Sequence, residues 1–163
     1  MWGQSLNRQS RHRGLGLAAA GPIRDSQTGF IHHPPGFPLE FKRIWFSGLR
    51  RDEDLRHGEL GLIFDSEKYV KPGWTLEITI PVRNEITRFQ GKVVLIRHGG
   101  EGYEIGLWLR RGADASRARI VEQICHIEAY TQERKCRDGP YCLNRERIAR
   151  EWIMENAGSV PTL

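Results

Sequence analysis

Cysteine and histidine are the first residues in this chain whose chemistry is worth weighing: Cys125 and His126 are adjacent, and Cys136 and Cys142 follow at C-x10-C and C-x5-C spacing. A structural zinc site is usually built on close pairs such as C-x2-C, and neighbouring helical positions point about 100° apart, so Cys125 and His126 would not face one ion. The spacing therefore predicts no metal site, with Cys125 a buried thiol and the other two loop thiols. Three cysteines do not all pair within one chain, and a reducing, cytoplasmic setting is the expectation.

The residues for catalysis are missing from the sequence: there is no glycine-rich loop followed by Lys-Ser/Thr, no H-E-x-x-H and no G-x-S-x-G. A non-enzymatic protein follows. Binding chemistry is better represented. His32, His33, Arg50, Arg51 and Arg56 would make a basic patch for an anionic ligand if the fold gathers them; ungathered, they are solvated charges near loops. Trp45, Trp74, Trp108 and Trp152 offer faces on which bases can stack. Core packing is the better reading for them, although Trp108 alternates with Leu107 and Leu109 and so points away from their face.

With 163 residues, the chain has room for one domain with a sizeable core and some tail. Hydrophobic residues make up 39% and charged residues 28%, and no apolar run approaches the roughly 18 residues that cross a membrane. "LGLAAAG" after "RQSRHR" is too short and too interrupted by glycine for a secretory signal. The formal net charge is +5, of which +3 falls in the first 30 residues, so the remainder is only weakly basic. That distribution argues against a nucleic-acid-binding surface on the folded part. The arm itself could touch nucleic acid or anionic lipid only through weak, salt-sensitive attraction.

These groups must be positioned by a β-rich body. Residues 1–30 have no sustained period and read as a disordered arm. "HHPPGFP" at 32–38 holds the chain extended, because proline fixes its own φ and restricts the residue before it. Five strand candidates follow, at 39–46, 60–64, 75–82, 88–97 and 102–109. The third alternates cleanly with Leu76, Ile78, Ile80 and Val82, and the last with Tyr103, Ile105, Leu107 and Leu109. "KPG", "VRNE" and "HGGEG" separate them at hairpin spacing, which predicts an antiparallel meander or Greek-key sheet closing into a small barrel. From Asp114 to about Arg134 the period is helical, with Ile120, Ile124 and Ile127 flanked by Val121. A second helix starts at the N-cap Asn144 and carries Ile148, Ala149, Trp152 and Ile153.

The order "GELGLIF", "VKPGWTLEITIPV", "FQGKVVLIRHGGEGYEIGLWL" resembles the PilZ family of bacterial signalling domains: a Gly-Leu entering a strand, a Pro-Gly before an alternating strand, a G-x-V-V strand and a Y-x-x-G strand. The likeness covers about residues 32–112, and "VEQICHIEAY" with "IAREWI" is similar to the helical extension of a proteobacterial subgroup. The resemblance implies a six-stranded antiparallel β-barrel at 31–112, a helical extension at 113–163, and a binding module with no reaction. It further implies cyclic di-GMP as a possible ligand, held in that family by an R-x-x-x-R loop and a [DN]-x-S-x-x-G strand. Here the second motif falls on Arg56, Gly58 and Gly61, of which only Gly61 matches, and no R-x-x-x-R occurs in the chain. Two arginines stacked on guanines could each contribute about 1–3 kcal/mol, so their loss predicts weakened or lost conventional binding.

The expectation is therefore a PilZ-like adaptor in motility, pilus, adhesion or exopolysaccharide control. It would act through a protein partner or a second copy at a helical surface that includes Ile124, Ile127, Ile148 and Trp152. The alternatives are a cyclic di-GMP receptor with a divergent pocket, using Arg56, Gly58, Gly61, His32, His33, Arg50 and Arg51, and a nucleic-acid-binding barrel.

Overall fold

Alternating apolar residues make the centre of the molecule a sheet. In a computed structural model, which describes residues 23–45, 60–109, 112–139 and 144–158, the strands are β1 (Ile31–His32), β2 (Glu40–Arg43), β3 (Gly61–Ser66), β4 (Thr75–Val82), β5 (Glu85–Gly99) and β6 (Gly102–Leu109). Two helices follow, α1 (Gly112–Asp138) and α2 (Arg145–Glu155). Among these residues the protein is mainly β, and neither helix is long and apolar enough to cross a membrane.

Turn chemistry sets the register. Arg83 and Asn84 both have positive φ (53° and 89°), the geometry of a two-residue hairpin loop, and they place Val82 opposite Glu85. At Lys71–Trp74, Pro72 and Gly73 (φ 89°) form the turn, and the Trp74 N–H donates to Lys71 O at 3.2 Å. The long strand β5 pairs with β4 through its first half and with β6 through its second. The register slips between Val93 and Leu95, the mark of a bulge in β5.

The strand order is β1-β3-β6-β5-β4-β2, with β1 parallel to β3 and every other pair antiparallel. This corrects the expectation of a closed antiparallel barrel: the sheet is mixed and, among the described residues, open between β1 and β2. It nevertheless curls enough to bring Phe41 of β2 within 5.4 Å of Phe64 of β3, ring centre to ring centre. Closure fails for a local reason. β1 is two residues long and runs into Pro34 and Pro35, which have no N–H to extend a ladder. It is also the strand that sequence periodicity did not find, since two residues show no period.

Helix α1 covers the apolar face formed by Phe64, Leu76, Ile78, Phe89, Ile105 and Leu107. Its buried line is Ala115, Ala118, Glu122 and Cys125, with Val121 beside it, whereas Ile120 is 45% exposed. The small alanines let the helix axis approach the sheet, and the expected isoleucine stripe is rotated outward, with Ile124 and Ile127 half-buried at its border. Asn144 caps α2 as expected, its Oδ1 accepting from the Arg147 N–H at 3.1 Å.

The ordered body also begins earlier than the periodicity suggested. Ile23, Asp25 and Phe30 are buried and Arg24 bridges to Ile31, so the stretch 23–30, expected to belong to a disordered arm, is anchored to the body at these points. Residues 1–22 lie outside the described residues.

Candidate functional site at the N-terminal strap

Residues 23–38 form a strap that crosses the sheet at its β1 edge. Successive residues of an extended chain point to opposite faces, so Phe30 and His32 lie on the outer face of the sheet while Ile31 and His33 turn toward α1. The adjacent histidines therefore do not share a site.

On the outer face, Phe30 packs edge-on against Trp108 with ring centres 4.5 Å apart. Its ring also lies across Gly61, where any Cβ would overlap it. A salt-bridged cluster flanks this contact. Arg97 donates from Nη2 to Asp25 Oδ1 at 2.8 Å, and its Nε stands 2.9 Å from Glu104 Oε2 as an ion pair. Thr28 donates to Asp25 Oδ2 from its backbone N–H (2.9 Å) and its hydroxyl (2.7 Å). Arg97, and then Thr28, hold the Asp25 carboxyl well below the usual carboxylate range. His32 Nε2 stands 3.7 Å from the same carboxylate.

The inner side of the strap is drier. His33 Nδ1 sits 3.0 and 3.1 Å from the two oxygens of Glu122, and its Nε2 is 3.2 Å from Phe37 O. Glu122 is 1% exposed and His33 7%. His126 Nε2 donates to His32 O at 2.6 Å, and its ring stacks on Trp152 with centres 6.0 Å apart. Burial lowers the pKa of His126, and the bond to the His32 carbonyl opposes that shift without cancelling it. Cys125 lies beside the pair: one ligating atom each from His33, Glu122 and Cys125 all fall within 4.8 Å of one another. Burial, and then the Glu122 carboxylate, raise the Cys125 thiol far above its ordinary range.

The chain matches no family model, no curated protein and no solved structure.

The candidate ligand residues are thus divided. Arg50, Arg51, Arg56 and Gly58 lie outside the described residues, Gly61 is under Phe30, His32 faces Asp25 and His33 faces Glu122. Of the candidate partner residues, Ile148 (1% exposed) and Trp152 (4%) are buried within the chain itself, and Ile124 and Ile127 pack against its core. That stripe holds the helices to the body and leaves little of itself for docking. The most exposed large apolar side chains among the described residues are Met154 (79%) and Trp45 (73%).

Sequence reasoning missed Glu122 and Arg97. Glu122 did carry a signal: it shares the 3-4-3 spacing of Ala115, Ala118 and Cys125, and a carboxylate on a buried line requires a buried partner. Arg97 and Asp25 carried none, being 72 residues apart on elements whose adjacency only the fold creates.

Proposed function

We propose that this protein is a non-enzymatic binding module of the PilZ type. In this reading it acts through another protein in a bacterial pathway of the kind that family serves, in the cytoplasm, with conventional cyclic di-GMP binding weakened or lost. The observation that carries the reading is the Phe30 ring over Gly61. The one motif glycine that the sequence retains is covered by the chain's own side chain, and the arginine pair that would stack on guanine is missing. A ligand seated there would have to displace Phe30 from Trp108. Calorimetry of the full chain with cyclic di-GMP, with GTP as control, tests this. No heat at about 100 μM ligand is expected, which leaves only affinities weaker than roughly −5.5 kcal/mol. Saturable heat specific to cyclic di-GMP would overturn the reading.

A second reading, a cyclic di-GMP receptor with a divergent pocket, is favoured by one observation. The Arg43 guanidinium is held between Trp45 and Trp74, 3.7 and 3.8 Å from the two ring centres, on the edge strand β2. Trp45, 73% exposed and backed by that cation, offers a face on which a base can stack. Under this reading the calorimetric signal appears in the wild-type protein and is lost in Arg43→Ala.

A further inference from the structure

We propose that His33, Glu122 and Cys125 form a structural site for a divalent transition-metal ion of the zinc type, clasping the strap to α1. The three ligating atoms come from two elements, the segment after β1 and one face of α1, where positions 122 and 125 are separated by most of a helical turn. Their mutual separations of at most 4.8 Å need contract by only about an ångström to reach the roughly 3.3–3.8 Å between ligands of a tetrahedral ion bound at about 2.0–2.3 Å. Each residue supplies one donor atom, three in all, and the fourth position of a tetrahedral ion falls to water.

The hydrogen bonding of His33 points the same way. Nε2 faces the Phe37 carbonyl, an acceptor, so it carries the proton there. Nδ1 then faces a carboxylate, also an acceptor, and something positive must lie between them: a proton or a metal ion. A metal-ligating histidine characteristically donates its other ring N–H to a backbone carbonyl, which is the role of Phe37 O here. Charge also balances. One divalent ion with a thiolate, a carboxylate and a neutral imidazole has no net charge, as a site this dry requires. Metal entry releases two protons, one from the Cys125 thiol and one from the His33–Glu122 pair, so the overall charge does not change. A thiolate and an imidazole exclude magnesium and calcium and select zinc or a similar ion. Such an ion would be structural and would serve a protein-binding module and a nucleotide receptor equally.

Cobalt(II) titration of the metal-stripped full chain tests the site. One equivalent is expected to give visible d–d bands and a thiolate-to-cobalt charge-transfer band, both displaced by zinc. With Cys136 and Cys142 both replaced by serine, Cys125 is the sole thiol and the charge-transfer band must persist. Cys125→Ser should abolish it, and His33→Gln or Glu122→Gln should weaken cobalt by more than the 10- to 100-fold that loss of an outer partner costs. The absence of charge transfer in the wild type, or its loss in the double serine variant, would overturn the proposal even if Cys125→Ser fails to fold.

Discussion

The strap is fastened at two points that differ in their surroundings. On the inner side His33 meets Glu122 with side-chain exposures of 5% and 1%; on the outer side Asp25 meets Arg97 with exposures of 9% and 25%. Both are short polar contacts to a carboxylate, at 3.0 and 2.8 Å. What separates them is water. The outer cluster keeps part of its solvation and is screened by salt, whereas the inner pair has surrendered its solvation and depends wholly on its partner. Breaking the inner contact should therefore cost several times more, although the distances are alike.

The largest expected effect follows directly. In metal-free protein, Glu122→Ala leaves His33 Nδ1 unpartnered in a dry site and should cost about 3–5 kcal/mol, a fall in Tm of roughly 6–20 °C for a chain of this size. Raising the salt concentration should leave that loss unchanged. Denaturant unfolding at two salt concentrations measures it, and a cost no greater than that of Asp25→Asn would erase the distinction between the two fastenings.

Between them lies an apolar contact that sharpens the comparison because it involves no charge. Gly61→Ala places a Cβ in the Phe30 ring and should cost about 1–3 kcal/mol by overpacking. In a Phe30→Ala background the same change should be nearly free, giving a coupling energy of similar size in a double-mutant cycle. Additivity of the two changes would mean that Phe30 does not rest on Gly61 in solution.

How much of this was legible in the sequence depended on range. β4 and β6 matched their expected bounds because four alternating apolar residues and a Pro-Gly or Gly-Gly turn specify them locally. The Asn144 cap was legible for the same reason, since its bond spans three residues. The rotation of α1 was misread because isoleucines were given more weight than alanines. Burial on a sheet this close favours small residues, and Ala115 and Ala118 are 1% exposed while Ile120 is not buried. The strap was illegible. Its anchors join residues 72 and 89 positions apart, and a segment held by one phenylalanine, one ion pair and one buried histidine has no period to detect. Closure of the barrel was misjudged from hairpin spacing and from a family likeness, neither of which says where β1 stops, although the two prolines that follow it were in plain view.

The smallest expected effect tests the outer fastening by pH. Asp25 ionises more readily in the folded chain than its ordinary value of 3.8, through Arg97 first and Thr28 second. A depressed carboxylate stabilises the fold fully above the unfolded pKa and loses that contribution as pH falls toward the folded one, so the stability it supplies declines below about pH 4. At neutral pH it should be worth about 1 kcal/mol, because Arg97 remains partly solvated and water screens the pair. Asp25→Asn should remove that amount at pH 7 and flatten the decline in stability below pH 4, and added salt should shrink the difference between variant and wild type. If the variant instead falls with pH as steeply as the wild type, the acid sensitivity belongs to another carboxylate and the outer fastening contributes packing alone.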